Sequence, residues 1–380
     1  MQGVRFQIGL TFCCCLLLIS CQEKEQDADF FSWYKQQPFA QNHASVAPNK
    51  VHEFQILSGS MQLDTIYRSM KGPFDIRTFQ IDADEQLVWL VGYEVELLNS
   101  ETSEVLPAAY MCHNNLNLAD KSESPWKVKT GGTKTRLFTL AQGATSVRFP
   151  DGFGIPLEPG QQLETVSQVL NHNIPEIDLE VQHRIKLYYI KESERVGKMT
   201  PLYQQTLFVT KQTGGPAGEY GTPPIVNQGE SNRVLADSAI AQCGIRYDNE
   251  QFNPGLDQYG RRFTGHWNVE PGSEALATDV SRTLNLSVPS NVHYMAVHLH
   301  PFAEHMQLRD VTADTVLFQV TASNFKDRIG LHELDFYSSE QGLALFPDHQ
   351  YVLESEYANP TQEVHTAMAT LSLYLAETAD

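Results

Sequence analysis

From Val51 to Leu375 the chain keeps returning to short runs of β-forming residues, and this recurrence limits its fold more than any other feature. Such runs fall at 86–98, 135–140, 177–190, 205–210, 283–288, 315–320, 351–357 and 368–375. Clusters of Gly, Pro and Asn separate them, and long helical periodicity is nearly absent. The fold class expected is all-β, built as sandwiches. Hydrophobic residues make up 41% of 380, enough for substantial cores. The clearest composition break is the Gly- and Pro-rich stretch 214–224, and a boundary near 200 leaves two halves of ordinary domain size, 51–200 and 201–380.

The first fifty residues stand apart. Arg5 precedes an apolar run, Ile8 to Ile19, too short to span a bilayer as a mature helix. Leu18-Ile19-Ser20-Cys21 follows and resembles a bacterial lipobox. That resemblance implies a signal peptide over 1–20, lipidation of Cys21, and a polar tether over 21–50. The residue after Cys21 is not Asp, which resembles outer-membrane sorting. The expected location is the bacterial cell envelope, held to the outer membrane through lipid alone. The alternative is an ordinary secretory signal cleaved nearby. The formal net charge of −19 leaves no electrostatic footprint for nucleic acid. Of six cysteines, Cys13, Cys14 and Cys15 leave with the signal and Cys21 takes lipid. Cys112 and Cys243 remain, able to form one disulfide in an oxidising compartment. Cys112 adjoins His113, so a metal or redox role rivals the disulfide.

The chemistry-bearing stretch is Val297-His298-Leu299-His300-Pro301. Period-two alternation puts both imidazoles on one face of a strand, where they can grip one ion. Met368 opens the last strand and shares a face with Thr370 and Ser372. If that strand neighbours the first, the thioether completes a set of two histidines and a methionine. A thioether is a soft donor, suited to Cu(I) rather than zinc, iron or magnesium. Alone, Met368 reads as a core methionine, as most methionines do. Two further histidines sit in Asn-rich surroundings, His113 in 110–118 and His172 in 169–173. There the asparagines can orient the rings, or the histidines can be ordinary hydrogen-bonded loop residues.

The order His113, His172, His298-x-His300, Met368 resembles the copper type II, ascorbate-dependent monooxygenases, the group of peptidylglycine α-hydroxylating monooxygenase and dopamine β-monooxygenase. The stretch 355–361 also resembles that family's approach to its methionine strand. The resemblance implies two jelly-roll-like antiparallel β-sandwich domains in tandem and two copper ions. His298, His300 and Met368 would hold the oxygen-activating copper, and His113 with His172 an electron-storing one. Ascorbate or another donor would reset both, and a C–H bond of a small-molecule substrate would be hydroxylated by a monomeric enzyme.

This chain departs from the family in three ways. The family's first-domain His-His pair is here Cys112-His113 or His113-Asn114. The carboxylate clamp of the peptide-hydroxylating members falls on Ala296, Thr370 and Ser372, which cannot make it, so peptidylglycine is not the expected substrate. The family's stapling cysteines are missing.

Two rivals stand beside this reading. His298-x-His300 followed by Glu304 fits part of a cupin motif, which would make Glu304 and His305 ligands of a mononuclear metal enzyme. A non-catalytic surface lipoprotein that binds copper, a glycan or a peptide is the other. His183 reads as a strand-surface residue and His365 as a loop residue. His266, His332 and His349 carry no spacing signal.

Overall fold

The computed structural model describes residues 49–81, 83–119, 136–220 and 255–377. The signal segment, Cys21, the tether to residue 48 and Cys243 lie outside the described residues. Contacts group the chain into two units, Met1–Ala47 and Pro48–Asp380, and every described residue lies in the second.

That unit is all-β, and its principal sheets pair off as antiparallel sandwiches. Sheet I runs in the order His52–Leu57, Leu179–Lys191, Val88–Asn99, Phe153–Leu157, with the short Thr200–Pro201 added in parallel. Sheet II is Phe74–Phe79, Leu163–Val169, Met111–Leu118, Arg136–Ala141. Alternation turns Leu90, Val95, Val181 and Ile185 of sheet I onto Leu116, Phe138, Leu140 and Leu163 of sheet II, forming one apolar core. Sheet III is Tyr203–Phe208, Ala369–Glu377, Ser290–Leu299, Tyr337–Leu345, and sheet IV is Gly272–Asp279, Tyr351–Asn359, Ala303–Asp310, Thr315–Thr321. Met295, Val297, Leu371 and Leu373 of sheet III meet Met306, Leu308, Phe318 and Leu353 of sheet IV in a second core.

None of these four sheets mixes strands from before and after Leu202. The apolar packing does cross that point. Tyr294, Ala296, Tyr374 and Ala376, on the other face of sheet III, belong to the first core. Phe149 packs on Tyr374 and Tyr294 with ring centroids 4.8 and 5.8 Å away, and the Tyr374 hydroxyl donates to the Leu137 carbonyl. Sheet III therefore serves as a middle layer, with one face to each core. This orientation aims the Tyr294, Ala296, His298 face toward the first half.

Two histidines differ from expectation. His183 is completely buried rather than on a strand surface. Its run places it on one face with Val181 and Ile185, and that face is the core. His365 opens a short strand, His365–Ala367, paired with Trp267–Val269, instead of lying in a loop.

Candidate metal centre

The strand Ser290–Leu299 pairs antiparallel with Ala369–Glu377, with His298 opposite Thr370 and Leu299 opposite Ala369. One step further, the His300 N–H donates to the Met368 carbonyl at 3.2 Å, so His300 and Met368 are cross-strand neighbours. Residues directly opposite share a face, as do residues two apart. His298, His300, Thr370 and Met368 thus project to the same side. Met368 is buried, yet it belongs to none of the apolar clusters, whereas Ala367, Ala369 and Leu371 around it all pack into the second core.

Tyr357 fixes this junction. Its hydroxyl, buried beneath the site, donates to the Met368 carbonyl at 2.6 Å and accepts the His300 N–H at 3.2 Å. The phenol ring packs edge-on against Trp267. The His300 ring is oriented by its Nδ1, 3.1 Å from the Thr366 carbonyl. That bond places the proton on Nδ1 and leaves the Nε2 lone pair for a metal.

A further histidine joins them. Trp267 pairs with Ala367, so His266 and Met368 are the next residues beyond the end of that antiparallel pair. The His266 and His300 ring centroids are 5.3 Å apart. The His298 and His300 centroids are also 5.3 Å apart, with the rings perpendicular. Two imidazoles on one tetrahedral ion, with metal–nitrogen bonds of about 2.0–2.1 Å, would show centroids roughly 5 Å apart. The buried Nδ1 of His298 has no hydrogen-bond partner among the described residues, the condition of a donor awaiting an acceptor other than protein. Among the described residues no group of three or more His, Cys, Asp or Glu is already arranged to hold a metal ion.

The electrostatics suit metal binding. Burial lowers His298 and His266 to about 4, and pushes His300 and His113 well below the ordinary imidazole value. Neighbouring imidazoles add to each shift except that of His266, where the added charge is Lys71. All four rings are neutral at pH 7, with no proton to displace before a metal binds.

The structure redistributes the other two sequence-expected ligands. His113 lies on Met111–Leu118, and after burial the His298 imidazole is the neighbour that most opposes its protonation. Arg136 stands nearby, donating to Asn115 and Asn117 of the same strand. His172 sits elsewhere, near His300 and beside His365 and Arg68. The asparagines around these histidines act on other groups. Asn114 donates to His183 and Ser167 inside the first sandwich. Asn171 ties its own loop to the Thr65 and Ile174 carbonyls. Cys112 lies at a register shift, where His113 pairs with Gln168 and Met111 with Val169. Its thiol accepts the Met70 N–H at 3.4 Å. Glu304 is exposed on sheet IV, a different sheet from that of His298.

His266 is the member that sequence reasoning missed. Its only signal is adjacency to Trp267, and its approach to His300 depends on a pairing between segments a hundred residues apart.

No protein-family model matches the chain, and comparison with curated proteins returns no match. Among solved structures, the chain is similar to PNGase F, a glycosylasparaginase from Flavobacterium meningosepticum, at 8% identity and a TM-score of 0.34, covering 86% of this chain and 97% of that one. A second structure, titled as peptide-N(4)-(N-acetyl-β-D-glucosaminyl) asparagine amidase, gives 9% identity and a TM-score of 0.35, with 86% and 97% covered. The STIV MCP gives 8% identity and 0.30, again covering 86% and 97%.

Proposed function

We propose that the chain is a copper-dependent monooxygenase, an oxidoreductase whose reactive centre is held by His298, His300 and Met368. The reading is supported by one observation above the rest: the register sets the Met368 side chain on the same face as both histidines, outside the apolar cores. Two neutral imidazoles and a thioether form a soft, incomplete donor set, which favours Cu(I) over zinc or magnesium. When bound, copper would supply the one-electron chemistry that dioxygen activation requires. The protein's own contribution is positional. Tyr357 locks the His300 and Met368 backbones together, Thr366 sets the His300 tautomer, and burial keeps the rings unprotonated.

His113 would serve the second, electron-storing copper. Ascorbate or a similar reductant, a small-molecule substrate and a lipid anchor at Cys21 complete the proposal.

The test is copper loading of the chain beginning after Cys21, followed by oxygen consumption with ascorbate. Cu(I) uptake that falls on His298→Ala and Met368→Leu, together with reductant-dependent oxygen consumption, supports the reading. Copper uptake without oxygen consumption would favour a non-catalytic copper-binding lipoprotein. Tight zinc or iron without Cu(I) preference would reject both.

A further inference from the structure

A small pocket of about 10 Å³ lies one turn of chain beyond His300. It is lined by Arg68, His172, Pro301, Phe302, Ile329, His365 and Thr366. Thr366 is the residue whose carbonyl orients His300, so the pocket adjoins the metal centre. The space admits about one water-sized group.

Three features of its wall point the same way. First, the wall carries hydrogen-bond donors with capacity to spare. Arg68 brings a guanidinium with five N–H donors, and spends one on Glu363 at 3.4 Å and one on the Val364 carbonyl at 3.3 Å. His172 and His365 stand beside it, and Glu363, the ion-pair partner of Arg68, is outside the lining. Second, the Nε2 of His172 is buried and has no hydrogen-bond partner among the described residues. An orphaned ring nitrogen on the wall of a polar pocket asks for an occupant. Third, the walls are held stiffly. Phe302 sits at φ +73°, a conformation a bulky side chain avoids, and such strain gathers at ligand sites. Both its peptide groups are tied, the N–H to Asn324 Oδ1 at 2.8 Å and the carbonyl to the Ala358 N–H at 2.9 Å. Its ring covers His365 at 4.8 Å. On the opposite wall, Asn173 grips Ile329 at both its N–H and its carbonyl.

We infer that this pocket is an oxyanion subsite, in which Arg68 and His172 receive one carboxylate oxygen of a small organic acid. A carboxylate offers lone pairs to both donors at once, and the Arg68 contact is charge-assisted. Its role as an anchor that presents substrate to the neighbouring centre rests on the function proposed above. The positions that would carry a substrate clamp by family analogy, Ala296, Thr370 and Ser372, take no part in it.

The experiment is a formate titration of the metal-free full chain in detergent, read by the ring-proton NMR signals of His172 and His365. Saturable displacement of both signals is expected, with chloride at equal ionic strength leaving them in place. Arg68→Gln should weaken formate binding roughly tenfold or more, the scale of one charge-assisted contact. His172→Gln should weaken it while the His365 signal still reports. Arg68 is half-exposed, so its replacement leaves the fold intact, which circular dichroism checks. No displacement by formate, equal displacement by chloride, or unchanged affinity in Arg68→Gln would overturn the inference. Because no metal is present, this outcome is independent of copper. A chain that binds Cu(I) but ignores formate keeps the proposed function and loses the subsite.

Discussion

Lowering the pH from 7.5 to 5 should destabilise the fold through His183 alone by roughly 2 kcal/mol. This histidine is fully buried in the first sandwich and held down to about 3, chiefly by burial. Its Nδ1 is 3.1 Å from the Asn114 amide nitrogen, which donates to it, so the ring proton sits on Nε2. The Asn114 oxygen is engaged by the Tyr93 hydroxyl, so the amide is not placed to turn around and accept from an imidazolium. In the unfolded chain His183 takes up a proton near pH 6.5, while the folded chain resists until about pH 3. Between those values the unfolded state binds more protons, and stability falls as pH falls. The stabilisation is complete above about pH 6.5 and is lost progressively toward pH 3. Integrating from 7.5 to 5 gives the figure of about 2 kcal/mol. The assay is urea unfolding of metal-free wild type and His183→Gln at several pH values. Glutamine shifts the baseline but cannot titrate, so the wild-type minus variant difference should shrink by about 2 kcal/mol across this range. A difference that stays constant within about 0.5 kcal/mol would refute the claim that His183 is held neutral.

Tyr357→Phe removes a hydroxyl that serves both the Met368 carbonyl and the His300 N–H; it should cost about 1–3 kcal/mol by chemical denaturation and weaken Cu(I) binding, whereas unchanged stability would show that water replaces it. Asp257→Ala breaks an ion pair with Arg261 in which both side chains are buried, and a loss of about 3–5 kcal/mol is expected in the same assay. Gly72→Ala would drive a methyl into the Val169 carbonyl in the turn next to Lys71, and should lower the melting temperature by several degrees without altering net charge. His266→Ala should lower Cu(I) affinity roughly tenfold, because its ring packs 5.3 Å from His300 and helps orient that ligand, measured by competition with a colorimetric Cu(I) chelator.

Legibility followed the range of the information each feature needs. The all-β class and the shared face of His298 and His300 depend on period two within one strand, and both are plain in the sequence. Placing Met368 beside them needed one guess, that two strands are neighbours, and the register of Ser290–Leu299 against Ala369–Glu377 supplies that pairing. His266 required the pairing of a second strand, which no local pattern encodes. His172 shows the converse. Its position in the order of histidines suggests a partner for His113, but the loop tied by Asn171 and Asn173 carries it to the Arg68 pocket. The burial of His183 was legible and misread: Val181 and Ile185 on the same face already mark it as a core position.

X-ray absorption at the copper edge of the Cu(I)-loaded chain tests the central claim most directly. The account predicts a sulfur scatterer at about 2.3 Å alongside two nitrogen scatterers, with the sulfur lost and the nitrogens kept in Met368→Leu. Nitrogen scatterers alone in the wild type, or a sulfur that survives Met368→Leu, would contradict it.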